Sequence, residues 1–244
     1  MIEGLLDQFR RGDRQALSRL LSLASYGEIP IASLSGLPGP AKKCRVIAIT
    51  GSGGVGKSTL IGKLISIIRR EHQTVAVLAC DPRSPLTGGA LLGDRFRMVS
   101  APREDDGIFI RSLAASPGYG AVAENLAPMI QLLKSFAFDT VIIETVGAGQ
   151  GDTAVRDLAD VVVLLLQPEM GDELQWEKAG LLEVADIVVI HKADLPGAEE
   201  TATQIQNILG LSMKVSPKVI QVSSKSGHGL DELWRAIQTG SSSH

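Results

Sequence analysis

The chain has few cysteines, few aromatic residues and no long hydrophobic run, and these shortages exclude whole classes of protein. Cys44 and Cys80 are the only cysteines among 244 residues, too few for a disulfide framework, and they favour a reducing compartment. The longest aliphatic run, Val161 to Leu166, is far shorter than the roughly 20 residues that a membrane-spanning helix needs. The charged start from Met1 to Arg14 shows no export signal. We therefore expect a cytoplasmic protein with no membrane partner.

Basic charge is not in excess either. The chain has 24 Lys and Arg residues against 27 Asp and Glu residues, for a formal net charge of -3. A nucleic-acid backbone therefore has no electrostatic reason to bind, and we expect no nucleic-acid partner. Hydrophobic residues make up 44% of the chain, and a chain of this length can bury a core without disulfides or structural metals.

Three regions can be distinguished along the chain. Apolar residues recur at helical spacing from Ile2 to Ala24 with an interruption at Gly12 and Asp13, which predicts a helical hairpin within residues 1–27. Residues 28–41 contain three prolines among glycines and serines, a composition that predicts a linker. We expect the main domain over residues 42–240.

In the main domain, short β-branched runs alternate with amphipathic segments. The predicted strands are Arg45–Thr50, Thr74–Cys80, Ile108–Ser112, Thr140–Glu144, Val161–Gln167, Ile187–His191 and Val219–Ser223. The predicted helices are Ser58–Arg70, Ala121–Phe136, Leu174–Val184, Ala198–Leu209 and Leu230–Gln238. This order predicts an α/β fold with a doubly wound, mostly parallel sheet, which binds ligands at the carboxyl ends of its strands.

A phosphate-binding loop pattern follows the first predicted strand and opens the next helix. Its glycines let backbone N–H groups approach phosphate oxygens at a helix N-terminus. We expect Lys57 to contact the β- and γ-phosphates and Ser58 to bind Mg²⁺, while the alternative is a Gly-rich turn that only connects strand to helix. The predicted nucleotide-binding residues here are Gly51, Ser52, Gly53, Gly54, Val55, Gly56, Lys57, Ser58 and Thr59.

Acidic residues near the predicted strand ends offer oxygen ligands for Mg²⁺. Asp81 follows the second predicted strand, Glu144 ends the fourth, and Asp94 lies in a loop between these two residues. Carboxylates are ligands that hard cations prefer, so these three residues are the metal-ligand candidates beside Ser58. The alternatives are a turn former at Asp81, a solvated charge at Asp94 and a cap of the next segment at Glu144.

The loop that follows Glu144 combines glycines with a polar side chain. Gly147 can present its N–H to a γ-phosphate, so the loop can order around a triphosphate and relax after hydrolysis. Gln150 is the candidate for orienting the attacking water, and a merely solvated glutamine is the alternative. Lys57, Glu144 and Gln150 form the predicted catalytic set.

The ends of the last two predicted strands suit a purine base. The Asp194 carboxylate can accept hydrogen bonds from N1–H and the exocyclic amine of guanine, whereas adenine offers no such pair. His191 stands where G proteins usually have Asn, and it is either a nucleotide ligand beside Lys192 or a packed neutral side chain. GTP and GDP are therefore the predicted substrate and product. The second base-contacting loop is predicted at Ser223, Ser224 and Lys225.

Together, these motifs resemble those of the MeaB/ArgK group of G-protein chaperones, which assist adenosylcobalamin-dependent acyl-CoA mutases such as methylmalonyl-CoA mutase. The resemblance implies a Mg²⁺-dependent GTPase that gates cofactor loading and protects the mutase, with residues 168–178 as the switch that contacts it. The chain departs from the family at His191, and it ends where longer relatives continue into a helical arm used in forming the homodimer. The matching stretches are residues 12–17, the phosphate loop, 81–84, 87–95, 109–112, 144–147 and 171–175.

Three alternatives remain open from the residues alone. A P-loop ATPase of the deviant Walker type carries a second lysine where this chain has Ser52. A metallochaperone GTPase needs clustered ligands, whereas the four histidines and two cysteines are scattered along the sequence. A nucleotide-gated binding module with little turnover is the third, although the intact Lys57, Ser58 and acidic residues favour hydrolysis.

Overall fold

Seven strands of the described chain form one sheet with helices on both faces. The computed structural model describes residues 2–29, 31–34, 36–37, 43–82, 105–115, 125–145, 155–168, 179–212 and 216–240. The strands are β1 (Arg45–Gly51), β2 (Val75–Pro82), β3 (Ile108–Ala115), β4 (Thr140–Glu144), β5 (Val161–Leu166), β6 (Ile187–His191) and β7 (Lys218–Val222). The helices are α1 (Ile2–Arg10), α2 (Arg14–Ser25), α3 (Lys57–Arg70), α4 (Leu126–Ser135), α5 (Ala179–Val184), α6 (Ala198–Ser212) and α7 (Leu230–Thr239), with a 3₁₀ helix at Ile31–Leu34.

The strand order in the sheet is β3-β2-β4-β1-β5-β6-β7, and each pairing between these strands is parallel. From β1 the chain builds β2, β3 and β4 on one side, and then crosses β1 to build β5, β6 and β7 on the other. This confirms the predicted doubly wound topology, with a described sheet that is wholly rather than mostly parallel. The carboxyl end of β1 therefore lies at the crevice where such sheets bind ligands.

Successive residues of the central strands point to opposite faces, and each face is covered. Val46 and Ala48 of β1 lie in a hydrophobic cluster with residues of α1, α2 and α4. Ile47 and Ile49 lie in a second cluster with residues of α3 and α7. Each residue of β5 is buried, as its run of Val and Leu predicts. This two-sided burial makes β1 and β5 a rigid base for the loops that follow them.

The two N-terminal helices pack against the sheet. Asp13 caps α2 by accepting a hydrogen bond from the backbone N–H two residues further on, at 2.7 Å. Leu17 is fully buried in the cluster that also contains β1 residues. The Arg14 guanidinium donates to the backbone oxygens of Asp106 and Ile108 at 2.8 and 2.6 Å. The predicted helical hairpin is therefore present, and it holds the edge strand β3.

Some observed boundaries differ from the predicted ones. Strand β2 extends two residues further than predicted, so Asp81 lies inside the strand rather than after it. The helix expected over Ala121–Phe136 begins at Leu126, because Asn125 before it has a φ of 65° and is not helical. The helix expected to begin at residue 174 is seen from Ala179, since residues 174–178 lie outside the described ranges. Within those ranges, no helix combines the length and the apolar character that crossing a membrane requires.

Candidate active site

The phosphate-loop pattern lies at the carboxyl end of β1 and opens α3, as predicted. Gly51 has a φ of 144°, and a Cβ there would lie 2.5 Å from the backbone oxygen of Leu165 on β5. Gly56 has a φ of 103°, and a Cβ there would lie 2.6 Å from the ring of His191. Both positions require glycine, because a side chain would meet a rigid backbone or a buried ring. Contacts with β5 and β6 therefore fix the shape of the loop.

The Lys57 side chain folds back over this loop. Its ammonium donates to the backbone oxygens of Gly51 at 2.7 Å and Ser52 at 3.1 Å. The side chain is buried, with 8% of the residue exposed. Carbonyl oxygens carry no formal charge, so these two bonds orient the ammonium without neutralising it. The arrangement places a cation beside the N–H groups that are expected to face phosphate.

Ser58 and Glu144 meet next to the loop. The Ser58 hydroxyl donates to Glu144 Oε1 at 2.6 Å, and the glutamate is buried. Parallel pairing of β1 with β4 aligns Glu144 with Ile49, two residues before the loop begins at Gly51. The sheet register, rather than nearness in sequence, thus brings the carboxylate to the start of α3.

These two side chains suit a magnesium ion chemically. A hydroxyl and a carboxylate oxygen are the hard ligands that Mg²⁺ prefers, and this ion usually keeps several water molecules and needs few protein ligands. The described residues hold no group of three or more His, Cys, Asp or Glu side chains that could bind a metal. The hydroxyl of Ser58 and the carboxylate of Glu144 therefore fit Mg²⁺ in the chemistry of their oxygen atoms.

Thr50 and Thr145 form a buried link behind the loop that sequence reasoning missed. The Thr145 hydroxyl donates to Thr50 Oγ1 at 3.0 Å, and the Thr145 N–H donates to the Ile49 oxygen at 3.1 Å. Both threonines are at most 1% exposed. The link fixes the end of β4 against the end of β1, so the residue after Glu144 is held in place. Threonine is so common at strand ends that nothing in the sequence signalled this hydrogen bond.

His191 lies against the other side of the phosphate loop. Its Nδ1 is 2.7 Å from the backbone oxygen of Val55, and its Nε2 is 2.8 Å from Ser224 Oγ. The residue is 3% exposed, and burial lowers its pKa below the usual value. Both ring nitrogens are thus bonded within the chain, a geometry that favours the packed neutral side chain over a direct contact with the base.

Lys192 adds a second connection to the phosphate loop. Its ammonium donates to the backbone oxygen of Gly54 at 3.2 Å and to Gln167 Oε1 at 2.8 Å. Gln167 follows β5 directly and was not recognised from the sequence as a site residue. Lys192 therefore joins the phosphate loop to the residue that precedes Pro168, where the predicted partner switch begins.

Asp194 is exposed, and one of its oxygens is held by the neighbouring loop. Ser223 Oγ donates to Asp194 Oδ1 at 2.6 Å, and this hydrogen bond lowers the pKa of the carboxyl group. The backbone N–H of Ala193 donates to the Val222 oxygen at 3.1 Å. The carboxylate is therefore ionised at neutral pH and fixed in orientation, as reading two donors of a base requires.

The structure thus brings two groups of predicted residues to the carboxyl edge of the sheet. One group is the phosphate loop with Lys57, Ser58 and Glu144. The other comprises His191, Lys192, Asp194, Ser223 and Ser224, with the exposed Lys225 beside them.

The remaining predicted site residues are either placed by their backbone alone or lie outside the described residues. Asp81 is placed by its backbone at the end of β2, two residues beyond Ala79, which aligns with Glu144. Asp94, Gly147, Gln150 and residues 169–178 lie outside the described residues. Their roles stay predictions.

Comparison with known sequences gives a consistent result. The profile of the family described as "Methylmalonyl Co-A mutase-associated GTPase MeaB" matches residues 31–242. A Pyrococcus horikoshii protein named as a GTPase is 39% identical over 247 residues, covering 97% of this chain and 77% of its own. The mitochondrial methylmalonic aciduria type A homolog of Mus musculus is 39% identical over 199 residues, or 79% of this chain and 48% of its own. The fused isobutyryl-CoA mutase of Geobacillus kaustophilus is 36% identical over 214 residues, or 82% of this chain and 19% of its own.

Solved structures agree on the fold. The crystal structure of a LAO/AO transport system kinase has a TM-score of 0.73 and 25% identity, covering 97% of this chain and 74% of its own. The hydrogenase maturation factor HypB of Archaeoglobus fulgidus has a TM-score of 0.59 at 20% identity, covering 97% of both chains. The HypB likeness supports the fold alone and does not argue for metal delivery.

Proposed function

The chain belongs to the MeaB family of methylmalonyl-CoA mutase-associated GTPases, and we propose that it uses Mg²⁺-dependent GTP hydrolysis to assist an adenosylcobalamin-dependent acyl-CoA mutase. Its fold and its relatives make it a P-loop GTPase. The proposed finer role is that of a chaperone that gates cofactor loading and protects the mutase. The observation that carries the hydrolytic part is the contact of Ser58 with Glu144 at the start of α3.

Ser58 and Glu144, assisted by Asp81 and Asp94, would hold Mg²⁺ in the proposed site. Bound there, Mg²⁺ would supply positive charge that offsets the negative charge of the phosphates. The Ser58 hydroxyl would offer an oxygen lone pair to the cation while its proton stays donated to Glu144 Oε1. The buried carboxylate of Glu144 then retains a fixed position, because β4 is held to β1 by its ladder.

Lys57 supplies the second part of the proposed mechanism. Its ammonium would exchange the backbone oxygens of Gly51 and Ser52 for phosphate oxygens, a short movement about the side-chain bonds. A charge-assisted bond to phosphate is stronger than one to a neutral carbonyl, so the exchange favours the nucleotide complex. The positive charge is then in place to stabilise negative charge that develops on the transferred phosphoryl group. Gln150 is proposed to orient the attacking water.

Guanine selection is assigned to Asp194. Its carboxylate is exposed and oriented by Ser223, so its oxygens can accept from N1–H and the exocyclic amine of guanine. Adenine has no matching pair of donors, which disfavours the ATPase alternative. The loop that follows Glu144, with Gly147 at its start, is proposed to order around a γ-phosphate and to report hydrolysis to residues 168–178.

The mutase partner is supported by the relatives rather than by a surface of this chain. One relative is named as a fused isobutyryl-CoA mutase, and the part that matches this chain occupies 19% of it. A natural fusion of this kind indicates that the matching domain works beside a mutase. We also propose a cytoplasmic location, which the presence of only two cysteines in 244 residues supports, and a homodimer, which the family resemblance implies.

The proposal is tested by following phosphate release from GTP with the full chain in the presence of Mg²⁺. Three samples are compared: the chain alone, the chain with methylmalonyl-CoA mutase, and the chain with an unrelated enzyme of similar size. We expect the mutase, but not the unrelated enzyme, to stimulate GTP hydrolysis by the chain and to elute with it in size-exclusion chromatography. A measurable basal rate with neither stimulation nor co-elution would keep the GTPase and remove this mutase as its partner.

A further inference from the structure

His191 bridges two loops that bind different parts of a nucleotide. One ring nitrogen faces the phosphate loop at Val55, and the other faces Ser224 in the loop after β7. The ring also packs against Gly56, where any Cβ would collide with it. The residue therefore occupies the junction between the phosphate half and the base half of the site.

The two partners fix which nitrogen carries the proton. A backbone oxygen can only accept, so the bond of 2.7 Å to Val55 requires a proton on Nδ1. In a neutral ring Nε2 is then the acceptor, and the Ser224 hydroxyl donates to it at 2.8 Å. The single hydroxyl proton of Ser224 is thus donated to the histidine ring. The lone pairs of the Ser224 oxygen remain able to accept a hydrogen bond from another donor.

We propose that His191, in its neutral Nδ1–H form, is a positioning residue that couples the phosphate loop to the Ser223–Lys225 loop and thereby controls nucleotide affinity. It acts through Val55 and Ser224 and does not itself touch the base. The inference rests on the proposed guanine-nucleotide site and adds to it a residue that transmits the position of one loop to the other.

Protonation would reverse one of the two bonds. An imidazolium donates from both nitrogens, so the Ser224 hydroxyl would have to turn its proton away from the ring and accept from Nε2 with one of its lone pairs. The charged groups that act on the ring are Lys192 and Asp194 on its own loop, and Lys225 beyond Ser224 acts in turn on Asp194. Lys192 disfavours and Asp194 favours the charged ring, while burial disfavours it most. Acidification should therefore loosen the junction and weaken nucleotide binding.

The first experiment measures GDP affinity by calorimetry between about pH 7.5 and about pH 4.5, a range extended downward because burial lowers the pKa of His191 below that of an ordinary histidine. The native chain is compared with His191→Asn and with the control His228→Asn, which changes an exposed histidine. Loss of affinity from protonation of the GDP phosphate is common to all three proteins and cancels. We expect the native chain and the control to lose at least about threefold more affinity in acid than His191→Asn does.

The second experiment is a double-mutant cycle on GDP affinity at neutral pH with His191→Ala, Ser224→Ala and both changes. If the two residues act as one link, each single change costs a similar factor, on the order of 5-fold, and the double change costs little more. Should His191→Ala fail to fold, the pH profile and Ser224→Ala still decide the matter.

The outcomes separate the inference from the function on which it rests. A native chain that does not bind GDP at neutral pH would remove the proposed nucleotide site itself. A native chain that binds GDP, with superimposable pH profiles and additive effects of the two substitutions, would overturn only the coupling by His191.

Discussion

Ser58 and Glu144 are 86 residues apart in the sequence, yet the Ser58 hydroxyl lies 2.6 Å from Glu144 Oε1. The first residue opens α3 after the phosphate loop, and the second ends the strand that pairs with β1 on one side. A helix N-terminus, a hydroxyl and a buried carboxylate therefore converge on one point. Such a point suits an ion that must contact both the protein and a phosphate.

Replacement of Ser58 by Ala should abolish most Mg²⁺-dependent hydrolysis. The change removes one oxygen ligand and leaves the helix intact, because Ala is a better helix former than Ser. We expect phosphate release to fall on the order of 100-fold, while GDP binding in the presence of a chelator changes little. Ser66→Ala on the exposed side of the same helix is the matched control. Equal hydrolysis by both variants would exclude Ser58 from the metal site.

Replacement of Lys57 by Ala should weaken GTP binding more than GDP binding. The side chain is expected to contact the β- and γ-phosphates, so loss of its charge costs most when the γ-phosphate is present. Calorimetry with a non-hydrolysable GTP analogue and with GDP measures the two losses, and the first should be on the order of 100-fold. Lys63→Ala, an exposed change on α3, serves as the control. Unaltered affinity for the analogue would remove the loop from its assigned role.

Replacement of Asp194 by Asn should move base preference from guanine toward xanthine. The amide oxygen can still accept the hydrogen bond from Ser223, so the loop keeps its anchor. The amide nitrogen, however, is a donor and suits the C2 oxygen of xanthine rather than the amine of guanine. Titrations with GDP and XDP should show a reversal of at least about tenfold, which corresponds to about 1.4 kcal/mol. If GDP remains preferred to the same degree, the assignment of Asp194 to the base is wrong.

The sequence was most informative where function depends on neighbouring residues. The phosphate loop, its helix and the ends of β4 and β6 could be predicted because glycine spacing and β-branched runs are local signals. The contacts of His191 could not, because its partners Ser224 and Val55 lie 33 and 136 residues away. Only the parallel register of β1, β5, β6 and β7 brings these residues together.

The last residue of β2 is a second feature that the sequence alone did not predict correctly. The sequence predicted a strand that stops at Cys80, with Asp81 before Pro82 as a possible turn former. In the structure β2 pairs with β4 only as far as Ala79, but with β3 as far as Pro82. Asp81 therefore lies within a strand, and its backbone pairs with β3.

A final prediction concerns acid stability at the far end of α3. The Arg69 guanidinium donates from Nε and Nη2 to the two carboxylate oxygens of Asp105, each at 2.9 Å. The Gly107 N–H donates to the same carboxylate at 2.8 Å. The hydrogen bond from Arg69, followed by that from Gly107, lowers the pKa of Asp105 below its usual 3.8. This contact holds the C-terminal turn of α3 to the segment that enters β3.

The sign of the effect follows from the lowered pKa. As the pH falls, the unfolded chain binds a proton at Asp105 before the folded chain does, so the contribution to stability is present above about pH 4 and disappears through the lowered pKa. Asp105→Asn should therefore reduce the free energy of unfolding by about 1 kcal/mol at neutral pH and by progressively less in acid. Urea unfolding between about pH 7 and about pH 3 measures this difference. Asp231→Asn is the control, since its ion pair with Arg70 is 3.5 Å long and mostly exposed, and its effect should be near zero throughout. A cost of Asp105→Asn that stays constant with pH would show that packing, and not the charge of the carboxylate, holds this corner.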